Sequence, residues 1–195
     1  IYVSVGEEIT IRELLYGLML RSGNDAAIEL AYQVASSTEN FAYLMNLLAK
    51  NIGMKHSNFV NSSGLEEKDS ANTSTVYDMA LLSSYAYKNL KTYRTISKTY
   101  KYQVKTKEKS YLWYNRNKLL KQYSYCTGGK NGYTPSAGKT LVTTAKKDNL
   151  NLTIVTLNDP NEYVTHKNLY ELLYQKYTSY QLVDKNTIPL GNGAY

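Results

Sequence analysis

Residues 14–27 read LLYGLMLRSGNDAA, an apolar stretch and an alanine-rich stretch separated by the polar tripeptide at 22–24. Thr10 and Glu13 have the spacing of a capping box, in which each side chain bonds the main-chain N–H of the other residue. This pattern predicts a helix that starts after Thr10 and stops at the tripeptide, and a second helix over about 25–35. The apolar face of the first helix is formed by Ile11, Leu14, Leu15, Leu18 and Met19.

The rest of the chain changes from a helical period to a strand period. A third helix follows a cap at Ser37 or Thr38 and ends at Gly53, with an apolar face formed by Phe41, Leu44, Met45, Leu48 and Ile52. Two more helices are predicted at about 75–90 and 164–177. Alternating polar and apolar residues with turn signals between them indicate strands, three of which follow closely enough to form an antiparallel meander. The predicted strands are 99–104, 127–133, 140–146, 150–157 and 180–183.

The order of these elements defines a fold class. Helices first, an antiparallel sheet next and a closing helix are typical of an α+β fold. The length of 195 residues fits one domain. We expect that domain to span 1–183, with a helical part over about 10–95 and a sheet part over about 98–183. Residues 184–195 are expected to be a C-terminal extension or the start of a linker.

Composition and charge exclude several classes of protein. Hydrophobic residues make up 43% of the chain, which is enough for a globular core and too much for a disordered tail. The formal net charge of +7 favours an anionic partner, but the lysines are scattered, so nucleic-acid binding is disfavoured. Cys126 is the single cysteine, and we expect it to pack as a small apolar side chain. His56 and His166 lack metal-ligand spacing, so we interpret both as surface residues and expect no metal site.

Two short polar motifs are candidates for a functional site: SGN at 22–24 and KNG at 130–132. The second lies on a predicted strand before a tight turn. SGN alone is more often a pair of helix caps than a catalytic motif. Together, however, the motifs resemble the serine-type D-alanyl-D-alanine carboxypeptidases, the low-molecular-weight penicillin-binding proteins of peptidase family S11. Further matching pieces follow in family order: Met45-Asn46, Gly53-Met54, Asn58–Asn61, Gly64-Leu65, Asn115, Asn117, Leu119-Leu120, Gly129–Thr134 and Ala137-Gly138.

The resemblance implies the penicillin-recognising fold, a helical subdomain with an antiparallel sheet flanked by helices, and it implies three catalytic residues. Ser22 would pass a proton toward the leaving amine. Asn24 would hold the catalytic lysine of the family and the peptide backbone of the substrate. Lys130 would supply the positive charge that keeps Ser22 reactive and attracts the substrate carboxylate.

The resemblance also implies three substrate-binding residues on the predicted strand. Asn131 takes the place of the family's threonine, whose hydroxyl bonds the substrate carboxylate, and its larger amide would donate with a different reach. Gly132 would leave room for the substrate to lie along the strand. The main-chain N–H of Tyr133 would form half of the oxyanion hole.

One motif of the family, SxxK, is not found at its expected position within this chain. The nucleophilic serine and its lysine form an SxxK motif on a helix, which we expect before Ile1, so residues 1–183 would be an incomplete catalytic domain. The SxxK match inside the chain, Ser136 to Lys139, lies in a turn. A turn does not bring positions i and i+3 together as a helix does, so this pair is not expected to converge.

The expected function is removal of the terminal D-alanine from peptidoglycan stem peptides through an acyl-enzyme, without a cofactor, with β-lactams as covalent inhibitors. The alternatives are a catalytically inactive peptidoglycan-binding protein and a serine β-lactamase. The β-lactamase needs a deacylating glutamate, and Glu66 and Glu67 lack a supporting motif. The resemblance places the protein outside the cytoplasmic membrane, with membrane association only through segments not in this chain.

Overall fold

The structure is a computed structural model that describes residues 1–66 and 70–180. The helices in this part of the chain are α1 (Ile11–Arg21), α2 (Asn24–Ala35), α3 (Thr38–Asn51), α4 (Val76–Asn89), α5 (Lys91–Lys98), α6 (Leu119–Gln122) and α7 (Glu162–Lys176). The strands are β1 (Lys101–Lys105), β2 (Ser110–Tyr114), β3 (Cys126–Thr134), β4 (Gly138–Lys147) and β5 (Leu150–Thr156). This order confirms the predicted α+β fold.

The first two helices begin and end where the sequence predicts. The Thr10 side chain accepts from the Glu13 N–H, and the Glu13 carboxylate accepts from the Thr10 N–H, so the capping box is complete. Helix α1 ends because Ser22 adopts the left-handed conformation, with φ of 56°. Three of the four alanines of α2, Ala26, Ala27 and Ala31, are buried and allow close contact with α1.

The sheet is an antiparallel meander in the order β3-β4-β5, as predicted. A separate two-stranded sheet pairs β1 with β2, and of these two strands only β1 is predicted from the sequence. Strand β2, of five residues, and helix α5, of eight, escape prediction because both are short, and the buried residues of α5 are only Ile96 and Ser97. The predicted strand at 180–183 falls almost entirely outside the described residues.

Burial differs from expectation at two places. The apolar face predicted for α3 is only partly covered: Leu44 and Leu48 are each 41% exposed, whereas Ala42 and Ala49 are buried. His166 was expected at the surface, and this prediction is wrong. Its side chain is fully buried where α7 crosses β4 and β5, because two threonine hydroxyls on the sheet satisfy both ring nitrogens.

Two predictions about single side chains are confirmed. His56 is exposed, and Cys126 is buried in a cluster formed by α6, α7 and the sheet. A second cluster joins α1 and α5 to the β1–β2 hairpin around Trp113. In the described ranges, no helix combines the length and the apolar character that crossing a bilayer requires.

Candidate active site

The junction between α1 and α2 presents Ser22. Its N–H bonds the carbonyl of Leu18 at 3.0 Å, and the next N–H, of Gly23, reaches the carbonyl of Gly17 at 3.4 Å. These bonds close the last turn of α1 while the left-handed backbone turns Ser22 away from the helix axis. A Cβ on Gly23 would lie 3.0 Å from the Asp25 carboxylate, so the sharp entry into α2 favours glycine.

Strand β3 brings Lys130 to the same place. The Lys130 ammonium bonds the Ser22 hydroxyl and the main-chain carbonyl of Asn131. Ser22 and Lys130 are 108 positions apart in the sequence, and their predicted proximity is observed. Since an ammonium only donates, the Ser22 oxygen must be the acceptor in this bond. The Ser22 proton is therefore free to be donated to another group.

Two glycines before Lys130 hold β3 tightly against its neighbours. Gly128 and Gly129 have φ of 148° and 141°, in the region that side chains rarely adopt. A Cβ on Gly128 would collide with Ser97 of α5, and one on Gly129 with the carbonyl of Val142 on β4. This close approach fixes the strand from which Lys130 projects.

The charge of Lys130 is not neutralised by the surrounding protein. Burial, together with the nearby Arg116 guanidinium, lowers the pKa of Lys130 to about 8. Within residues 1–66 and 70–180 no carboxylate lies within 4.0 Å of its ammonium. At pH 7 the lysine is still mainly protonated. The site therefore offers an unpaired, largely desolvated positive charge, which is suited to an anionic ligand group.

The other predicted site residues lie on the same two elements. Asn24 is the exposed first residue of α2 and lines, with Ser22, a cavity of about 880 Å³. Asn131 and Gly132 are partly exposed along β3, and Tyr133 is 70% exposed. Strand β3 pairs with β4 on one edge only, so in the described part of the chain its other edge has no strand partner. The six predicted residues thus lie on two elements: the turn between α1 and α2, and strand β3 with its open edge.

Sequence reasoning missed the contribution of Arg116, which lines the cavity and acts on Lys130 by charge. Its loop is held by two asparagines. Asn115 donates to the carbonyls of Ser97 and Thr99 and accepts from the N–H of the fully buried Asn117. The resemblance had marked both asparagines without a role, and their burial shows one: they support the loop that carries Arg116.

The SxxK match in the turn does not form a nucleophile and base. The Ser136 hydroxyl donates to Glu66, whereas Lys139 lies 2.9 Å from the carbonyl of Pro160 and 3.6 Å from Glu162. The two side chains have different partners, as expected for residues in a turn. In the described residues, no three or more His, Cys, Asp or Glu side chains converge to hold a metal ion.

Solved structures with a similar fold include a DD-transpeptidase and a penicillin-binding protein homologue. A mutant of the Streptomyces K15 DD-transpeptidase superposes with a TM-score of 0.81 and 34% identity, covering 87% of this chain and 70% of the transpeptidase. A penicillin-binding protein homologue from Mycobacterium tuberculosis gives a TM-score of 0.82 at 27% identity, covering 89% of this chain and 68% of the homologue. The fold is therefore of the penicillin-binding protein class.

Sequence comparison narrows this class to one family. The profile of peptidase family S11, described as D-alanyl-D-alanine carboxypeptidase, matches residues 1–161. DacF of Bacillus subtilis (strain 168), a D-alanyl-D-alanine carboxypeptidase, is 34% identical over 195 residues, covering 95% of this chain and 48% of DacF. The D-alanyl-D-alanine carboxypeptidase of Streptomyces sp. (strain K15) is 38% identical over 158 residues, which cover 75% of this chain and 53% of that enzyme. The chain belongs to peptidase family S11, and it spans about half the length of these curated relatives.

Proposed function

We propose that this chain is part of a serine-type D-alanyl-D-alanine carboxypeptidase that removes the terminal D-alanine from peptidoglycan stem peptides. The observation that carries the proposal is the contact of the Lys130 ammonium with the Ser22 hydroxyl at an open strand edge. The family relationship supports it, because the curated relatives carry this activity in their names. The protein would act at the cell envelope, outside the cytoplasmic membrane.

The reaction proceeds in two steps. A serine from a segment outside residues 1–195 attacks the carbonyl between the two D-alanines, and the C–N bond breaks to give an acyl-enzyme and free D-alanine. The leaving nitrogen needs a proton. Ser22 is suited to donate it and to take up in exchange the proton that the attacking serine releases, because its oxygen already accepts from Lys130 and its proton is unengaged in that bond. Water then hydrolyses the ester and regenerates the serine.

Lys130 and strand β3 bind and orient the substrate. The unpaired ammonium attracts the terminal carboxylate, and the Asn131 amide group donates a hydrogen bond to it. The main-chain N–H of Tyr133 bonds the scissile carbonyl oxygen and stabilises the oxyanion that forms there. Asn24, which lines the same cavity as Ser22, holds the peptide backbone of the substrate. A β-lactam presents a carboxylate and a reactive carbonyl, so it would acylate the same nucleophile.

Labelling with a fluorescent penicillin tests this function in the full-length protein that contains this chain. Lys130→Ala should lower the acylation rate at least roughly 100-fold, because the charge next to Ser22 is lost. Lys130→Arg should retain part of the rate. The matched control is Lys146→Ala, which removes an exposed lysine from β4 and should leave labelling unchanged.

Two outcomes would contradict the proposal. Unchanged labelling of a folded Lys130→Ala protein would remove the assigned role of the lysine. No labelling of the unmodified protein, with retained binding to peptidoglycan, would instead indicate a non-catalytic wall-binding protein. Circular dichroism of each variant shows whether the fold is retained.

A further inference from the structure

The loop before residue 67 places a carboxylate over the end of strand β3. Asn61 organises this loop: its side-chain oxygen accepts from the N–H of Gly64 at 2.8 Å, and its amide donates to the carbonyl of Leu65 at 2.8 Å. The Asn72 side-chain oxygen accepts from the N–H groups of Val60 and Asn61. The position of the following residue, Glu66, is therefore set by a hydrogen-bonded loop.

Glu66 reaches the β3–β4 hairpin with one oxygen. Its Oε1 accepts from the Ser136 hydroxyl and, at 2.7 Å, from the Thr134 hydroxyl. Hydrogen bonds from Ser136 and Thr134 hold the pKa of Glu66 below its usual value, so the carboxylate is ionised at pH 7. The lysine of this hairpin, Lys139, is engaged elsewhere by Glu162. In the described ranges, no cation lies within 4.0 Å of Glu66.

The alternation of a strand places Glu66 and Ser22 over the same face of β3. Lys130, Gly132 and Thr134 share one face, because side chains point to opposite faces at successive positions. Lys130 bonds Ser22 at one end of this line, and Thr134 bonds Glu66 at the other. Gly132 between them has no side chain. The Thr140 hydroxyl of β4 borders the space beside Gly132, 2.7 Å from where a Cβ would lie. A stretch of about 13 Å, four residues at ~3.3 Å each, therefore separates the positive end from the negative end.

The proposed function gives the direction in which a substrate crosses this stretch. Its terminal carboxylate lies at Lys130 and Asn131, and its scissile carbonyl lies at the Tyr133 N–H. The substrate residues before the scissile bond then continue past Tyr133 toward Thr134. In an extended peptide, the side chain of the residue just before the two alanines comes within reach of the Glu66 carboxylate, since an extended residue advances about 3.3 Å.

We propose that Glu66 is a specificity residue that binds a positively charged amine on the side chain of the residue preceding D-alanyl-D-alanine. The inference rests on the proposed function and deepens it by naming the class of peptide: one with a free amine at that position. The carboxylate offers an ion pair to such an amine and nothing comparable to a neutral side chain. Thr134 and Ser136 hold Glu66 in place before the substrate arrives, which reduces the entropy lost on binding.

Two substrates that differ only at the amine test this assignment in the full-length protein. They are Nα-acetyl-Lys-D-Ala-D-Ala and the same peptide with its side-chain amine acetylated. The unmodified protein should prefer the free amine roughly two- to fivefold in kcat/KM, the size expected of a solvent-exposed ion pair. Glu66→Gln should abolish the preference by slowing the free-amine peptide only. The matched control is Glu39→Gln, which changes an exposed glutamate on α3 and should leave the preference for the free amine unchanged.

Three results would overturn the assignment. They are equal rates for the two peptides in the unmodified protein, a preference that survives Glu66→Gln, and an equal loss for both peptides, which would mean that Glu66 only supports the loop. Penicillin labelling separates these results from a failure of the proposed function. A protein that labels normally but shows no amine preference contradicts only the role of Glu66. A protein that neither labels nor cleaves either peptide contradicts the function, and the specificity assignment falls with it.

Discussion

At the scale of single residues, the partly buried Lys130 and the buried His166 differ in protonation. Lys130 keeps its charge at pH 7 because its pKa falls only to about 8. His166 is neutral, since burial lowers its pKa to about 4 against a small opposing effect of Asp159. The first side chain is available to bind an anion. The second, bonded to Thr143 and Thr156, joins α7 to the sheet.

The buried histidine makes stability depend on pH. His166 has an ordinary pKa of 6.5 in the unfolded chain and a depressed one in the folded protein, so its stabilising contribution is complete above pH 6.5. The contribution is lost as pH falls toward 4, because only the unfolded chain takes up the proton. Between pH 7 and 4.5 the free energy of unfolding should fall by about 2–3 kcal/mol from this residue.

Urea unfolding of His166→Gln at both pH values checks this prediction. The variant should lose less stability on acidification than the unmodified protein does. His56→Gln, which changes the exposed histidine, should behave like the unmodified protein. An identical acid response in the His166 variant would show that the ring is not kept neutral by burial.

At the scale of elements, strand β3 both packs in the core of the fold and supplies residues of the candidate site. It is an edge strand of the three-stranded sheet and packs against α5. The same strand contains Lys130, which supplies the positive charge of the site, and its outer edge has no strand partner in the described residues. The strand comes this close to α5 and β4 only because Gly128 and Gly129 have no side chains. Packing and chemistry therefore depend on the same short segment.

A methyl group at Gly129 should disturb this segment. Gly129→Ala places a Cβ against the Val142 carbonyl, a main-chain atom that cannot turn aside, so we expect a loss of about 3 kcal/mol or more. Gly53→Ala is the control: its φ of 87° is also strained, but nothing lies within 4 Å of the added carbon, and we expect about 1–2 kcal/mol. Urea unfolding measures both. Equal losses would mean that backbone strain alone sets the cost.

At the scale of the whole molecule, long-range polar contacts hold the N-terminal segment on the β1–β2 hairpin. The Glu7 side chain is fully buried and accepts from Tyr111, Thr106 and the N–H of Ser4, with Lys109 at 3.4 Å. Burial alone would raise its pKa, but these hydrogen bonds outweigh that effect and lower the pKa to about 2. The segment leading into α1 is thereby tied to a hairpin about 100 residues away.

Neighbouring glutamates give a matched test of this contact. Glu7→Gln leaves hydroxyl donors facing a weaker acceptor and should lower the free energy of unfolding by about 1–3 kcal/mol. Glu8→Gln breaks an ion pair with Lys107 in which both side chains are over 70% exposed, and should cost less than about 1 kcal/mol. Thermal unfolding measured at one pH compares the two. Similar losses would show that the buried contact contributes no more than a surface pair.

Much of the fold and of the candidate site could be predicted from the sequence, because both depend on local patterns. The capping box at Thr10 and the turns between the meander strands specify their elements without help from distant residues. The motifs at 22–24 and 130–132 mark the candidate site only through their combined resemblance to the family, since each alone is a common local pattern. Helix α5 and strand β2 could not be predicted, since they are short and depend on packing, α5 against β3 and β2 against β1 and α1.

What the sequence determined by itself was the longer helices, the strands of the meander, their order and the polar motifs at their ends. Only the tertiary structure decided which of these meet: Ser22 with Lys130, Arg116 with Lys130, and His166 with the threonines of the sheet. The physical reason is that periodicity reports how apolar a face is, but not which element will cover it. The leucines of α3 and the buried histidine differ from expectation for that reason, because burial is a property of neighbours brought together by the folded chain.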